Sequence, residues 1–437
     1  MRRLFAALLW ILAALPAQAQ SILRDGDIEH ALSELARPIL AAAGLSSSRT
    51  RIIVLHDAQM NAFVLDRDHI FLHSGLILRL STAAQLQSVI AHEAAHIAGG
   101  HMTRRLDNIR HANTISGLGT ALAIAAAASG GGEAAGGLAL GVSSSAERVL
   151  FGHTRAEESA ADASGLSYMR RAGVDPYGYA DVLGLFKDQE LLSTTRQDPY
   201  SRTHPLSRDR LNVVMAQIGT ETRRDPDPTA DYWFARAQGK LAAFLRAPAV
   251  TLRQTGQALG KDDITLLRQA VAFHRQSNAT KARQAIDAAI RLRPSDPYLH
   301  DLKGQILIES RDAKGALAAY TEAARLAPKD TQVIAGLGRA QLAAGNPKAA
   351  IQSLERARAA DTSDPTALRD LGTAYAQTGQ MGQASLATAE RYALAGRWKD
   401  AGINATRAAG LLPRGSSAWL HAQDVISAAE HAQKQKK

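Results

Sequence analysis

The stretch AHEAAHIAGGH, running from Ala91 to His101, places His92, Glu93, His96 and His101 close together. Residues four apart share a helix face, so the imidazoles of His92 and His96 stand one turn apart, at a separation that a single Zn²⁺ bridges. Glu93 then points to the flank where a metal-activated water would sit, the position of a general base. Two histidines do not complete a site. The pattern HExxHxxGxxH takes its third histidine from the same segment, and Gly99 matches it, but the required position is Met102; His101 is one residue short. The chain has no cysteine, so thiolate ligands and disulfides are excluded, and any zinc is held by histidine and carboxylate.

The carboxylate is expected from TRAEESAADASGLSYMRRAGVDP, Thr154 to Pro176, where Glu157 and Glu158 compete. Asp162 lies one turn after Glu158 on the same face and can accept the free N–H of a zinc-bound histidine. The residue one turn after Glu157 is Ala161. Glu158 is therefore the expected third ligand, completing a His₂Glu set with one zinc per chain.

These segments together resemble the HtpX and CAAX-prenyl-protease type of zinc metallopeptidase: HExxH with a further histidine five residues on, then ExxAD from Glu158 to Asp162, then RRAGVDP. With an export signal in front and repeats behind, the chain is most similar to the periplasmic BepA-like group. The stretch MNAFVLDRDHIFLHSGLI resembles the family's Asn-Ala-Phe segment and the strand after it. The resemblance implies that a substrate peptide pairs along this edge, as an extended chain can add to a sheet. In THPLSRDRL, His204 and Arg210 match a His-Pro segment followed by Arg in the same group. His204 lies in a loop beside Pro205. It is placed either to stabilise the oxyanion or to occupy the metal's open position as a removable fourth ligand.

The elements that must carry these residues are partly readable. RIIVL from Arg51 reads as a strand, HIFLHSGLIL from His69 as a second strand leading into a turn at Ser74-Gly75, and Ser81 to His96 as a helix capped by Ser81 or Thr82. The Gly/Ala-rich segment Gly117 to Gly141 reads as a mobile helical hairpin or loop. Its Gly-Gly-Gly run and Glu133 argue against a spanning helix, with peripheral membrane contact as the alternative. In the C-terminal half Gly304, Gly338 and Gly372 are 34 residues apart; so are Ala282, Ala316, Ala350 and Ala384, then Ala289, Ala323 and Ala357, and Pro294 and Pro328. That period resembles the tetratricopeptide repeat from roughly Asp263 to Arg391. Gly396 follows Gly379 by half a period, so one helix near the end serves two units.

The N-terminus has Arg2 and Arg3, an apolar run from Leu4 to Leu15 and Ala17-Gln18-Ala19, a signal peptide expected to be cleaved after Ala19. A formal charge of +10 without a dense basic block or interleaved aromatics excludes a nucleic-acid partner and reads as a solvated basic surface. The expected organisation is a signal peptide (1–19), a zinc metallopeptidase domain (20–225), a helical connector (226–262) and a tetratricopeptide-repeat domain (263–437). The fold class is thus an α+β zincin-type (gluzincin) domain followed by an all-α solenoid. Because an array carries its own stacked core, the part from about Asp231 onward is expected to fold alone. The expected function is that of an exported periplasmic endopeptidase acting on protein substrates. The resemblance implies quality control and assembly of outer-membrane proteins, with the repeats contacting substrate or the assembly machinery. The rival from another class is a chaperone-like assembly factor whose zinc site is structural or latched.

Overall fold

The computed structural model describes residues 21–103, 154–187, 197, 199–204 and 208–434. The expected signal peptide (1–19) and the Gly/Ala-rich segment Gly117 to Gly141 lie outside these residues. Among the described residues no helix is long and apolar enough to cross a membrane.

Strand β1 (Ser21–Leu23) leads into α1 (Gly26–Ala42), whose N-cap Asp25 accepts from the Ile28 N–H. Strands β2 (Arg51–His56), β3 (Ala62–Val64) and β4 (His69–His73) follow. The sheet order is β1-β2-β4-β3, with β2 and β4 parallel and both outer pairs antiparallel. β3 is therefore an edge. The turn expected at Ser74-Gly75 is instead the start of a short helix, α2 (Ser74–Arg79), because Ser74 Oγ and the Gly75 N–H both bond to the Asp57 carbonyl and turn the chain straight into a helix.

Helix α3 (Ala83–Ala98) carries the HExxH stretch, and Thr82 is its cap, accepting from the Gln85 N–H. Every residue from Leu86 to Ile97 is buried, the polar Gln87, Ser88, His92, Glu93 and His96 included. It runs through the centre of the N-terminal core, packed by α1, by α4 (Arg155–Arg171) and by α5 (Tyr177–Leu185). Two short helices, α6 (Pro199–Thr203) and α7 (Arg208–Ile218), close the region.

Helix α8 (Pro228–Leu245), in the segment read as a connector, adds Phe234, Ala237 and Leu241 to the same core as α1 and α3. It also buries two cations. Arg236 Nε bonds Asp27 at 2.6 Å and its Nη2 bonds Asp296 at 3.0 Å, while Lys240 Nζ bonds Asp25 at 2.8 Å. After α9 (Pro248–Thr255), the repeats run as α10 (Asp263–Arg275), α11 (Ala279–Leu292), α12 (Pro297–Glu309), α13 (Ala313–Leu326), α14 (Thr331–Ala343), α15 (Pro347–Ala360), α16 (Pro365–Gln377) and α17 (Met381–Leu394). Ala282, Ala316, Ala350 and Ala384 are buried where the helices of a pair meet. Asp262, Asp296, Asp330 and Asp364, also 34 residues apart, cap the first helix of each pair. Helix α17 packs against α16 and against α18 (Trp398–Leu411), before α19 (Ser417–Lys434) ends the array.

The array is tied back to the start of the chain. Arg24 Nη2 and Arg51 Nη2 reach Asp361 Oδ2 at 2.6 and 3.1 Å. Burial opposes the charge of Asp361, but the two guanidiniums outweigh it and hold its carboxyl below the usual range. Its contribution to stability is therefore complete above the unfolded value of about 4 and is lost as pH falls towards the lowered folded value. Asp361→Asn is expected to cost about 3 kcal/mol at pH 7 and to flatten the acid limb of the stability curve, measured by urea unfolding across pH. For the same reason a fragment beginning at Asp231 carries Arg236 and Lys240 without Asp25 and Asp27, and is expected to unfold at lower urea than the full chain's repeats.

Candidate metal centre

Helices α3, α4 and α6 meet with the four side chains His92, His96, Glu158 and His204 pointing inward. One ligand atom from each lies within 4.8 Å of all the others, and all four residues are buried. His92 Nε2 and His96 Nε2 are 3.1 Å apart, as the one-turn spacing on α3 dictates. Glu158 Oε2 is 3.4 Å from His92 Nε2 and Glu158 Oε1 is 3.4 Å from His96 Nε2. His204 Nδ1 is 3.1 Å from both His92 Nε2 and Glu158 Oε1.

Small residues let the helices come this close. A Cβ on Gly165 of α4 would lie 2.9 Å from the Tyr179 ring and 3.3 Å from the Ala91 backbone, and one on Gly178 would lie 2.7 Å from the Ala84 carbonyl. Glycine at these two points is what allows α4 and α5 to press Glu158, Asp162 and Tyr179 against α3.

Glu157 and Glu158 have different places. Glu157 forms a capping box with Thr154, accepting from the Thr154 N–H at 2.9 Å, whereas Glu158 faces inward. Asp162 lies 3.2 Å from His92 Nδ1. Between them stands Tyr179, a residue the spacing arguments missed: His92 Nδ1 is 2.7 Å from its hydroxyl, which donates to Asp162 Oδ1 at 2.9 Å. No periodicity marks Tyr179, because it comes from a separate helix. Arg210 of α7 donates through Nε and Nη2 to both oxygens of Asp162, at 2.7 and 2.6 Å, and its Nη1 lies 2.6 Å from Glu158 Oε2. It holds the two carboxylates in place and touches the metal position only through them.

Burial and neighbouring charges set the state of each group. Burial opposes ionisation of Glu158, yet His204 and His92 hold its carboxyl well below the usual range. Burial also opposes a charge on His92, but Glu158 and Asp162 outweigh it and push its pKa up to about 9, while burial keeps His96 well below its ordinary value. Glu93 is fully buried, and burial pushes its carboxyl up; neither of its oxygens has a hydrogen-bond partner among the described residues. Two imidazoles and a carboxylate converging with a further imidazole, beside a buried carboxylate whose oxygens have no hydrogen-bond partner among the described residues, fit one zinc ion and its water.

His204 also reaches the sheet. Its Nε2 is 3.1 Å from the Ala62 carbonyl on edge strand β3 and 3.4 Å from Glu93 Oε1. His101 stands behind the site, its Nδ1 2.7 Å from His96 Nδ1.

Residues 23–218 match the family described as Peptidase family M48, and tetratricopeptide-repeat families match 234–297, 267–331, 307–371 and 341–390. A "Beta-barrel assembly-enhancing protease" of Yersinia pestis is 24% identical over 407 residues, covering 91% of this chain and 80% of that protein. A protein so described from Escherichia coli (strain K12) is 22% identical over 383 residues, covering 86% and 77%. "Mitochondrial metalloendopeptidase OMA1" of Schizosaccharomyces pombe is 27% identical over 202 residues, 44% of this chain and 55% of that protein.

Glu158→Ala is expected to abolish stoichiometric zinc in the purified protein, while Glu157→Ala keeps it and loses only helix-cap stability. Tyr179→Phe is expected to weaken zinc binding by roughly tenfold. Metal analysis and chelator competition check all three.

Proposed function

From the premise that this chain is a metallopeptidase of family M48 with tetratricopeptide repeats, we propose that it is a periplasmic zinc endopeptidase in the assembly and quality control of outer-membrane proteins. The repeats recruit substrate or a partner. The names of the relatives from Yersinia pestis and Escherichia coli support the setting, and the buried convergence of His92, His96 and Glu158 carries the activity.

In this reading His92, His96 and Glu158 hold the metal. Zinc, when bound, lowers the pKa of its water to about 7 and polarises the scissile carbonyl. Glu93, with both oxygens free of hydrogen bonds among the described residues, takes the proton of the attacking water and returns it to the leaving nitrogen. Tyr179 and Asp162 orient His92, and Arg210 holds Asp162 and Glu158 so that neither swings away when charge shifts. An extended substrate pairs with the edge at Ala62–Val64, which runs beside the site.

His204 is the restraint. Its Nδ1 lies among the ligand atoms, its Nε2 beside Glu93, and it engages the Ala62 carbonyl that a pairing substrate needs. A side chain in that place excludes both the attacking water and the peptide, so the resting enzyme is silent until a partner or substrate draws it out. The other role, an oxyanion donor, predicts the opposite sign.

Turnover of a casein-type substrate, measured with zinc content, tests this. Glu93→Gln is expected to keep zinc and folding and to lose activity by about 10² or more; retained activity would remove Glu93 as the base, whereas no turnover by the zinc-loaded wild type or by His204→Ala would favour an assembly factor with a structural zinc. His204→Ala is expected to raise basal proteolysis severalfold; a fall would assign it to the oxyanion.

A further inference from the structure

The geometry points to His101 as a positioning residue: its Nδ1 accepts a hydrogen bond from His96 Nδ1–H and holds the His96 ring with Nε2 toward the metal position. This rests on the reading of His96 as a ligand.

The two Nδ1 atoms are 2.7 Å apart, the ring centroids 4.9 Å apart and the planes inclined at 73°, with both residues buried. Two nitrogens at that distance share one proton. His96 Nε2 is the atom that faces His92 Nε2 at 3.1 Å and Glu158 Oε1 at 3.4 Å, so its lone pair must be free and its proton sits on Nδ1. His96 is then the donor and His101 Nδ1 the acceptor, which puts the proton of His101 on its own Nε2. His101 does for His96 what Tyr179 and Asp162 do for His92.

The chain is built to deliver this ring. Helix α3 ends with the Gly99 N–H bonded to the Ala95 carbonyl at 2.8 Å, and Gly100 follows in the left-handed region at φ 63°. That reversal brings the residue five after His96 back onto it. The returning ring lies so close to Gly99 that a Cβ there would be 2.7 Å from His101 Nε2 and 3.0 Å from its Cδ2. Gly99-Gly100-His101 is thus one device: space, reversal and acceptor.

The full chain, as wild type, His101→Leu, His101→Asn and His96→Ala, tests this by zinc affinity in chelator competition and by the visible spectrum of Co²⁺ bound in place of zinc. Leucine keeps the bulk and removes the acceptor, so a loss of roughly tenfold or more in zinc affinity and an altered cobalt spectrum are expected. Asparagine sets its Oδ1 at the same number of bonds from Cα as the histidine Nδ1, so it is expected to restore affinity and spectrum. A folded His101→Leu with wild-type affinity and spectrum overturns the proposal. If that variant does not fold, the asparagine variant decides: wild-type binding supports the acceptor role, and a tenfold loss in the folded protein refutes it. Unchanged zinc binding in His96→Ala would instead overturn the ligand reading beneath it.

Discussion

Two carboxylates held in the charged form, Glu158 and Asp162, lie buried in one hollow beside Glu93, and a protein interior does not hold such charges without cations to answer them. Arg210 answers part of the demand with a two-point grip on Asp162 and a third contact on Glu158. A metal ion answers the rest. This need sets the packing around it: α3 must be central so that its histidines are shielded from water, α4 must press against it to bring Glu158 in, and α7 must return to supply the guanidinium.

The same principle joins the two halves of the chain. Arg236 and Lys240 of α8 are almost wholly buried, and both find their carboxylates on the first helix, Arg236 also on the cap of a repeat helix. Removing one partner from such a group leaves a buried charge uncompensated, which is costlier than any surface contact. Arg24, Arg51 and Asp361 repeat the arrangement farther along the array. The repeats are thereby held against the peptidase core at several points along their length, and α8 is an element of both.

Around the candidate metal position each proposed ligand has a second group behind it. His92 has Tyr179 and Asp162, His96 has His101, and Glu158 has Arg210. These contacts confine the rings and the carboxylate to one orientation, so their donor atoms converge before any metal arrives. His204 stands at the same centre, its Nε2 within 3.4 Å of Glu93 Oε1 and 3.1 Å of the Ala62 carbonyl on the edge strand.

Local spacing by itself determined the candidate ligand pair, the candidate base and the repeats, because each lies in one helix or one period. His92 and His96 are neighbours on any helix, and a 34-residue recurrence of small residues means stacked pairs wherever it occurs. The preference for Glu158 over Glu157 was also local, since only Glu158 has an acidic residue one turn on; the capping box at Thr154 was equally legible but went unread. Tyr179, the grip of Arg210 and the meeting of His204 with Ala62 were decided by tertiary structure alone, as each joins elements whose distance along the chain says nothing of their distance in space. The role of α8 is of this kind too. Its sequence reads as a connector, and only the burial of Arg236 and Lys240 against acids some two hundred residues earlier makes it part of the peptidase core.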